Sequence, residues 1–244
     1  MNSALEHIHE LLLRLKNEVQ KDIIGQDDLI DKLIITLFAG GHALIEGVPG
    51  LGKTKTVRTL ATVLALDTKR ISFTPDLLPS DLTGSEIYRI GKGDFTVRKG
   101  PIFTNILLAD EINRTPPKVQ SALLEAMEEK KVTIGDTTFP LSEPFVVFAT
   151  QNPLEHEGTY PLPEAQLDRF LMKIVLHYPN TTDEKRIFLS ETKESLRDRE
   201  ERFEPINPTD IIEMQEYIKN TVRVDEKIYE YISSLLEATR KLTK

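Results

Sequence analysis

The chain of 244 residues contains no cysteine, which excludes disulfides, thiolate catalysis and cysteine-ligated zinc together. No stretch approaches the roughly 18 consecutive apolar residues that a membrane span requires. The amino-terminal segment MNSALEHIHELLLRLKNEVQKDI is broken by charge throughout, so it lacks the apolar run of a signal peptide. A cytoplasmic protein without membrane insertion is the expectation. Positive charge is also scarce, with 31 Lys and Arg against 39 Asp and Glu, a net charge of −8. A phosphate backbone is bound mainly through clustered Lys and Arg, so nucleic acid is disfavoured as a bulk partner, although a local basic patch is still allowed. Internal repeats and low-complexity tracts are lacking too.

What is present describes an ordinary globular chain, with 39% hydrophobic and 29% charged residues; its length suits one large domain or a domain plus a small satellite. Leu5, Ile8, Leu12 and Leu15 recur at helical spacing and predict an amphipathic first helix. Five short apolar runs follow: ALIE (43–46), RISF (70–73), NILLA (105–109), FVVFAT (145–150) and LMKIVL (171–176). Each reads as a buried strand. Helical patterns lie between them. One places Val57, Leu60, Ala61 and Leu64 on one face; another, TPPKVQSALLEAMEE, offers Thr115 as a cap and Pro116 for the first turn. Strand–helix alternation implies an α/β fold with a mainly parallel sheet covered on both faces. Segments 86–100 and 132–141 alternate around Gly-containing turns and read as hairpins. After Pro179 the patterns at 182–201, 208–220 and 225–243 are helical, with Pro205 and Pro208 separating the first two.

Residues 45–56, IEGVPGLGKTKT, carry the densest chemistry. Gly47, Val48, Pro49, Gly50, Leu51, Gly52, Lys53 and Thr54 satisfy G-x-x-x-x-G-K-[ST] in full. Glycines let the loop wrap so that successive N–H groups face phosphate oxygens, and the helix opening near Lys53 adds its positive end. Lys53 is expected to reach the β- and γ-phosphates, with Lys55 beside it, and the Thr54 hydroxyl to take one Mg²⁺ position. A chain of this composition meets that pattern by chance at roughly the 1% level. Here the loop also follows a strand and opens a helix, so a nucleoside triphosphate is the expected ligand. The guanine-reading Asn-Lys-x-Asp motif is absent, which argues against a GTP switch.

The parts for hydrolysis come later in the chain. ILLADE ends an apolar strand in Asp110 and Glu111, suited to steadying magnesium and to polarising an attacking water. FVVFATQNP ends another in Thr150, Gln151 and Asn152; an amide there can hold the water or touch the γ-phosphate, or it can simply be a polar turn.

These residues carry a resemblance. IIGQDDLI (23–30), FTPDLLPSDLTG (73–84), the segment 100–129 and the segment 149–174 resemble signature segments of the MoxR family of AAA+ ATPases. The resemblance implies a three-layer P-loop core with a five-stranded sheet over 1–178 and a small helical lid over 179–244. It further implies ATP and Mg²⁺ as ligands and a homo-oligomeric ring, usually a hexamer, with ATP between neighbouring subunits. Carried over, it makes Lys53 and Thr54 the phosphate-loop pair, Asp110 and Glu111 the metal and water partners, and Asn152 the γ-phosphate sensor. Arg169 in LDRF becomes the finger acting in a neighbour's site, against the alternative of a surface ion pair with Asp168. Ile24 and Gly25 fall near the adenine, and Arg114 at the site's edge, where it is equally able to be structural. The hairpin at 86–100 corresponds to an insertion shared with replicative helicases and metal chelatases, tinted basic by Arg89, Lys92, Arg98 and Lys99.

One departure stands out. The Ser-Pro-Arg tripeptide that supplies a second sensor arginine in the family is lacking before Lys244, so a truncated or incomplete lid is expected, and Arg240 is not assigned the missing role. Function on this reading is ATP hydrolysis coupled to remodelling or maturing protein clients, with von Willebrand factor A domain proteins as the implied partner class. Two alternatives remain open on sequence: a nucleic-acid motor, suggested by the hairpin, and a nucleotide-gated scaffold without turnover.

Overall fold

The computed structural model describes residues 3–91, 93–154, 158–191 and 206–242. Strands β1 (Ala43–Glu46), β2 (Thr68–Ser72), β5 (Ile106–Asp110), β8 (Val146–Gln151) and β9 (Met172–Val175) form one parallel sheet in the order β2-β5-β8-β1-β9. The order places β1, which leads into the glycine loop, beside β8, and β8 beside β5, which ends in the two acids. Their registers pair Glu46 with Gln151 and Ala109 with Ala149, so all three strands deliver their carboxyl ends to one edge of the sheet. That edge is where ligands bind in open α/β folds.

Alternation along the strands fills two cores. Ala43, Ile45, Ile106, Leu108, Val146 and Phe148 face α1 (Ser3–Gln20), α2 (Asp27–Phe38) and α3 (Lys53–Val63). Leu44, Leu107, Ala109, Val147 and Ala149 face the opposite way, onto Val119, Leu123 and Met127 of α5 (Pro117–Glu129). A strand with helices on both faces must be apolar at every position, which is why these runs read as continuous rather than alternating.

The flanking strands depart from that expectation. β2 is an edge strand with its Lys69 and Arg70 exposed, and β9 buries Ile174 while exposing Lys173 and Val175; an edge position relieves a strand of two-sided burial. The expected Thr115 cap is also absent. Pro116 occupies the N-cap position, Pro117 opens α5, and the buried Thr115 hydroxyl has no hydrogen-bond partner. In α1, Leu15 and Val19 are buried, Ile8 and Leu12 pack partly, and Leu5 is exposed at the far end.

Both hairpins form, as β3 (Gly84–Arg89) with β4 (Asp94–Lys99) and β6 (Lys131–Ile134) with β7 (Thr137–Pro140). Arg89 pairs with Asp94 across the first; Lys92 lies outside the described residues. Two short helices, α4 (Pro79–Thr83) and α6 (Glu164–Leu167), bridge strands, and the last described strand is followed by α7 (Thr181–Glu191), α8 (Pro208–Thr221) and α9 (Glu226–Leu242). The expected helix to 201 is described only as far as Glu191, and Pro205 falls outside the described residues. α8 joins the first core through Ile211 and Met214 and is tied to α2 by Gln215 Nε2 donating to Leu37 O at 2.6 Å.

Candidate active site

The glycine loop leaves β1 and turns into α3 with Gly50 at φ 88° and Gly52 at φ 77°. A side chain resists this left-handed region, so the wrapped backbone depends on glycine at both positions. A Cβ built at either meets nothing within 4 Å: the loop faces open space, as a cradle for phosphate oxygens must. Gly47 N–H donates to Gln151 O at 3.2 Å, joining loop and β8, and Lys53 Nζ donates to Gly47 O at 2.5 Å. Val48 packs partly against the first core and Leu51 is buried in it. Burial lowers the Lys53 pKa from its ordinary value, while Asp110 and then Glu111 oppose the shift.

Pro49, Gly50, Gly52, Lys53, Thr54 and Lys55 form one wall of a cleft of about 430 Å³ whose other wall is Arg70, Asp110 and Glu111. The strand end brings both acids there by a backbone kink. Glu111 adopts φ 58°, ψ 50°, a conformation costing a non-glycine residue about 1–2 kcal/mol. The kink is held from two sides. Thr150 Oγ1 accepts the Glu111 N–H at 2.9 Å and donates to Asp110 Oδ1 at 2.5 Å. Arg114 Nη1 donates to Glu111 Oε2 at 2.9 Å. The other oxygen of Asp110 accepts from Arg70 Nε at 3.1 Å and Nη2 at 2.5 Å.

A second hollow of about 210 Å³ adjoins the loop, with Ile23, Ile24, Leu51, Pro179 and Ile187 supplying apolar walls and Gln26 a polar edge. An apolar lining of this kind can accept a planar ring. Gly25 turns behind it against Asp183 of α7. Asn152 is buried, and its Oδ1 accepts the Leu154 N–H at 3.1 Å rather than lining the phosphate cleft.

Arg169 stands elsewhere. Its Nε and Nη2 donate to Glu128 Oε2 at 2.9 and 2.6 Å, so its partner is Glu128 at the end of α5, not the neighbouring Asp168. Arg169, Glu128, Asp168 and His42 line a separate hollow of about 510 Å³ that shares no residue with the phosphate cleft.

The donor set fits Mg²⁺ with a triphosphate. Among the described residues no three His, Asp or Glu gather as a metal cage, and Mg²⁺ needs none, since it takes one or two protein oxygens with phosphates and water. Asp110 and Thr54 share one cleft with the loop and meet that requirement. Sequence reasoning missed Arg70, the bridging hydroxyl of Thr150 and Glu128. The only available signal for Arg70 was a charge inside a short apolar run.

Comparison with known proteins agrees with this architecture. Residues 42–172 match the ATPase family associated with various cellular activities (AAA). The chain is 48% identical over 240 residues to the uncharacterized protein YeaC of Bacillus subtilis strain 168, covering 97% of this chain and 73% of that one. It is 46% identical over 226 residues to the chaperone MoxR1 of Mycobacterium tuberculosis, covering 92% of this chain and 58% of that protein. A crystal structure from Cytophaga hutchinsonii, assigned provisionally as an ATPase, superposes with a TM-score of 0.79 at 49% identity, covering 98% of this chain and 73% of that one. The chain therefore belongs to the AAA+ ATPases and, within them, to the MoxR family.

Proposed function

We propose that this chain is the ATP-hydrolysing core of a Mg²⁺-dependent, ring-forming chaperone-like machine of the cytoplasm. The carrying observation is the convergence of Lys53, Thr54, Asp110 and Glu111 on one cleft. On this reading the loop amides and Lys53 hold the β- and γ-phosphates, and the hollow beside Ile24 takes the adenine. Thr54 and Asp110 would hold Mg²⁺, which would supply charge neutralisation at the phosphates. Glu111 orients the attacking water and takes its proton. Asn152, immediately after β8, is the γ-phosphate sensor on this reading. Residues 1–178 form the nucleotide-binding core and 179–244 the lid, a division supported by Ile187 of α7 lining the adenine hollow.

The ring is supported by the position of Arg169. A finger stabilises the charge on a transferred phosphoryl group and is worth about 10³–10⁵ in rate, and Arg169 lines a hollow apart from its own chain's cleft. It suits a neighbour's site, in a ring of family type, most often a hexamer. Protein clients follow from the naming of MoxR1 as a chaperone, with von Willebrand factor A domain proteins as the class that the family resemblance implies; a net charge of −8 disfavours nucleic acid. The test is ATPase rate against protein concentration for Glu111→Gln, Arg169→Ala and their mixture. Both variants are expected to be inactive alone, with partial recovery on mixing. Activity that is first order at every concentration and indifferent to Arg169 would remove the shared-site ring.

A further inference from the structure

Arg70 sits on an edge strand, with its Cα opposite Leu108, while the carboxylate it binds is two residues farther along β5. At about 3.3 Å per residue the side chain spans roughly 7 Å up the sheet edge to reach Asp110. Both of its N–H contacts fall on Oδ2, the oxygen that Thr150 leaves free. The guanidinium side chain is 53% exposed while that of Asp110 is 15% exposed. It lines the same cleft as Lys53 and Thr54. A guanidinium held on one side by one carboxylate oxygen and open on the other to a phosphate cleft is anchored but not buried.

That placement creates a conflict. The carboxylate suited to Mg²⁺ already carries a cation on Oδ2. A divalent ion and a guanidinium a few ångströms apart repel one another, and Mg²⁺ tolerates little distortion of its oxygen shell. A triphosphate resolves the conflict, because it brings oxygen acceptors that a guanidinium binds with two parallel N–H bonds.

We infer that Arg70 is an exchangeable counter-ion, which neutralises Asp110 until Mg²⁺ and nucleotide enter together and then passes its charge to the phosphates. The inference rests on the Mg²⁺–ATP reading of the cleft. It gives the site an order of binding: Arg70 discourages the metal from occupying Asp110 alone and favours arrival as a metal–nucleotide complex. It also gives Asp110 a guanidinium partner of its own, as Arg114 gives Glu111 one.

The test measures two bindings separately, with Arg70→Met and Arg70→Lys beside the wild type. Mn²⁺ binding to protein without nucleotide is read by electron paramagnetic resonance, and a fluorescent ATP analogue is titrated in EDTA. In Arg70→Met, Mn²⁺ alone is expected to bind about tenfold more tightly or better, while the analogue in EDTA binds about tenfold more weakly. Arg70→Lys, which keeps the charge but not the fork, should fall between. A purely structural role would weaken both ligands together and lower the thermal midpoint, so a rise in Mn²⁺ affinity separates the two. Unchanged or weaker Mn²⁺ binding in Arg70→Met overturns the inference. Failure of the wild type to bind the analogue with Mg²⁺ removes the reading of the cleft itself, a different result.

Discussion

Lys53 and Glu111 carry the opposing demands of the cleft. Burial drives the Lys53 pKa down, yet the nearby carboxylates Asp110 and Glu111 favour its charged form, and a triphosphate would favour it further. Replacing Lys53 with alanine is therefore expected to weaken nucleotide binding about tenfold to a hundredfold by calorimetry, the scale of lost charge-assisted hydrogen bonds. Glu111→Gln keeps the shape and the strained backbone but cannot take a proton. Turnover is expected to fall by about 10²–10⁴ while nucleotide is still retained. Equal loss of binding and turnover would make Glu111 a scaffold residue. Its left-handed conformation was not legible from ILLADE, because nothing in a linear run of residues shows which peptide will be bent by its neighbours.

Strands β5 and β8 act as a unit through Thr150. Its hydroxyl donates to Asp110 on the neighbouring strand and accepts from the Glu111 amide, so one buried oxygen sets both acids. Thr150→Val keeps the volume and removes both bonds. It should destabilise the fold by about 1–3 kcal/mol in denaturant titration, whereas Thr150→Ser should restore most of that loss. The same logic applies to Gln120 of α5, whose Nε2 donates to the carbonyls of Ile112, Thr115 and Tyr160. It ties the turn after Glu111 to the segment following β8. Elements of this kind were only half legible. The apolar runs foretold strands β1, β5 and β8 within a residue, since burial on both faces writes itself into composition. β2 and β9 were foretold as strands, but their exposure depended on which strands end at the sheet's edges.

At the scale of the molecule, His42 joins sheet and helix layer. Its Nδ1 accepts the Val147 N–H at 3.0 Å and its other nitrogen faces Met127 O at 3.3 Å. Burial lowers its pKa from 6.5 to about 4; the contact with Met127 opposes this and Lys130 adds to it. Between those values the unfolded chain binds the proton that the folded chain refuses, so stability is fully present above pH 6.5 and is lost as pH falls towards 4. The loss attributable to this imidazole is roughly 3 kcal/mol. It should appear as a steeper decline of the denaturation midpoint in the wild type than in His42→Gln. Equal slopes would assign the decline to other groups.

The amino-acid sequence alone determined the triphosphate loop, the acids at a strand end and the family to which the chain belongs, because these depend on residue types at short, fixed separations. Only the tertiary structure decided that Arg70 meets Asp110, that Thr150 bridges both acids and that Arg169 answers to Glu128. Those partners lie about forty residues apart in the chain, and strand order and register, not local pattern, bring them within hydrogen-bonding distance.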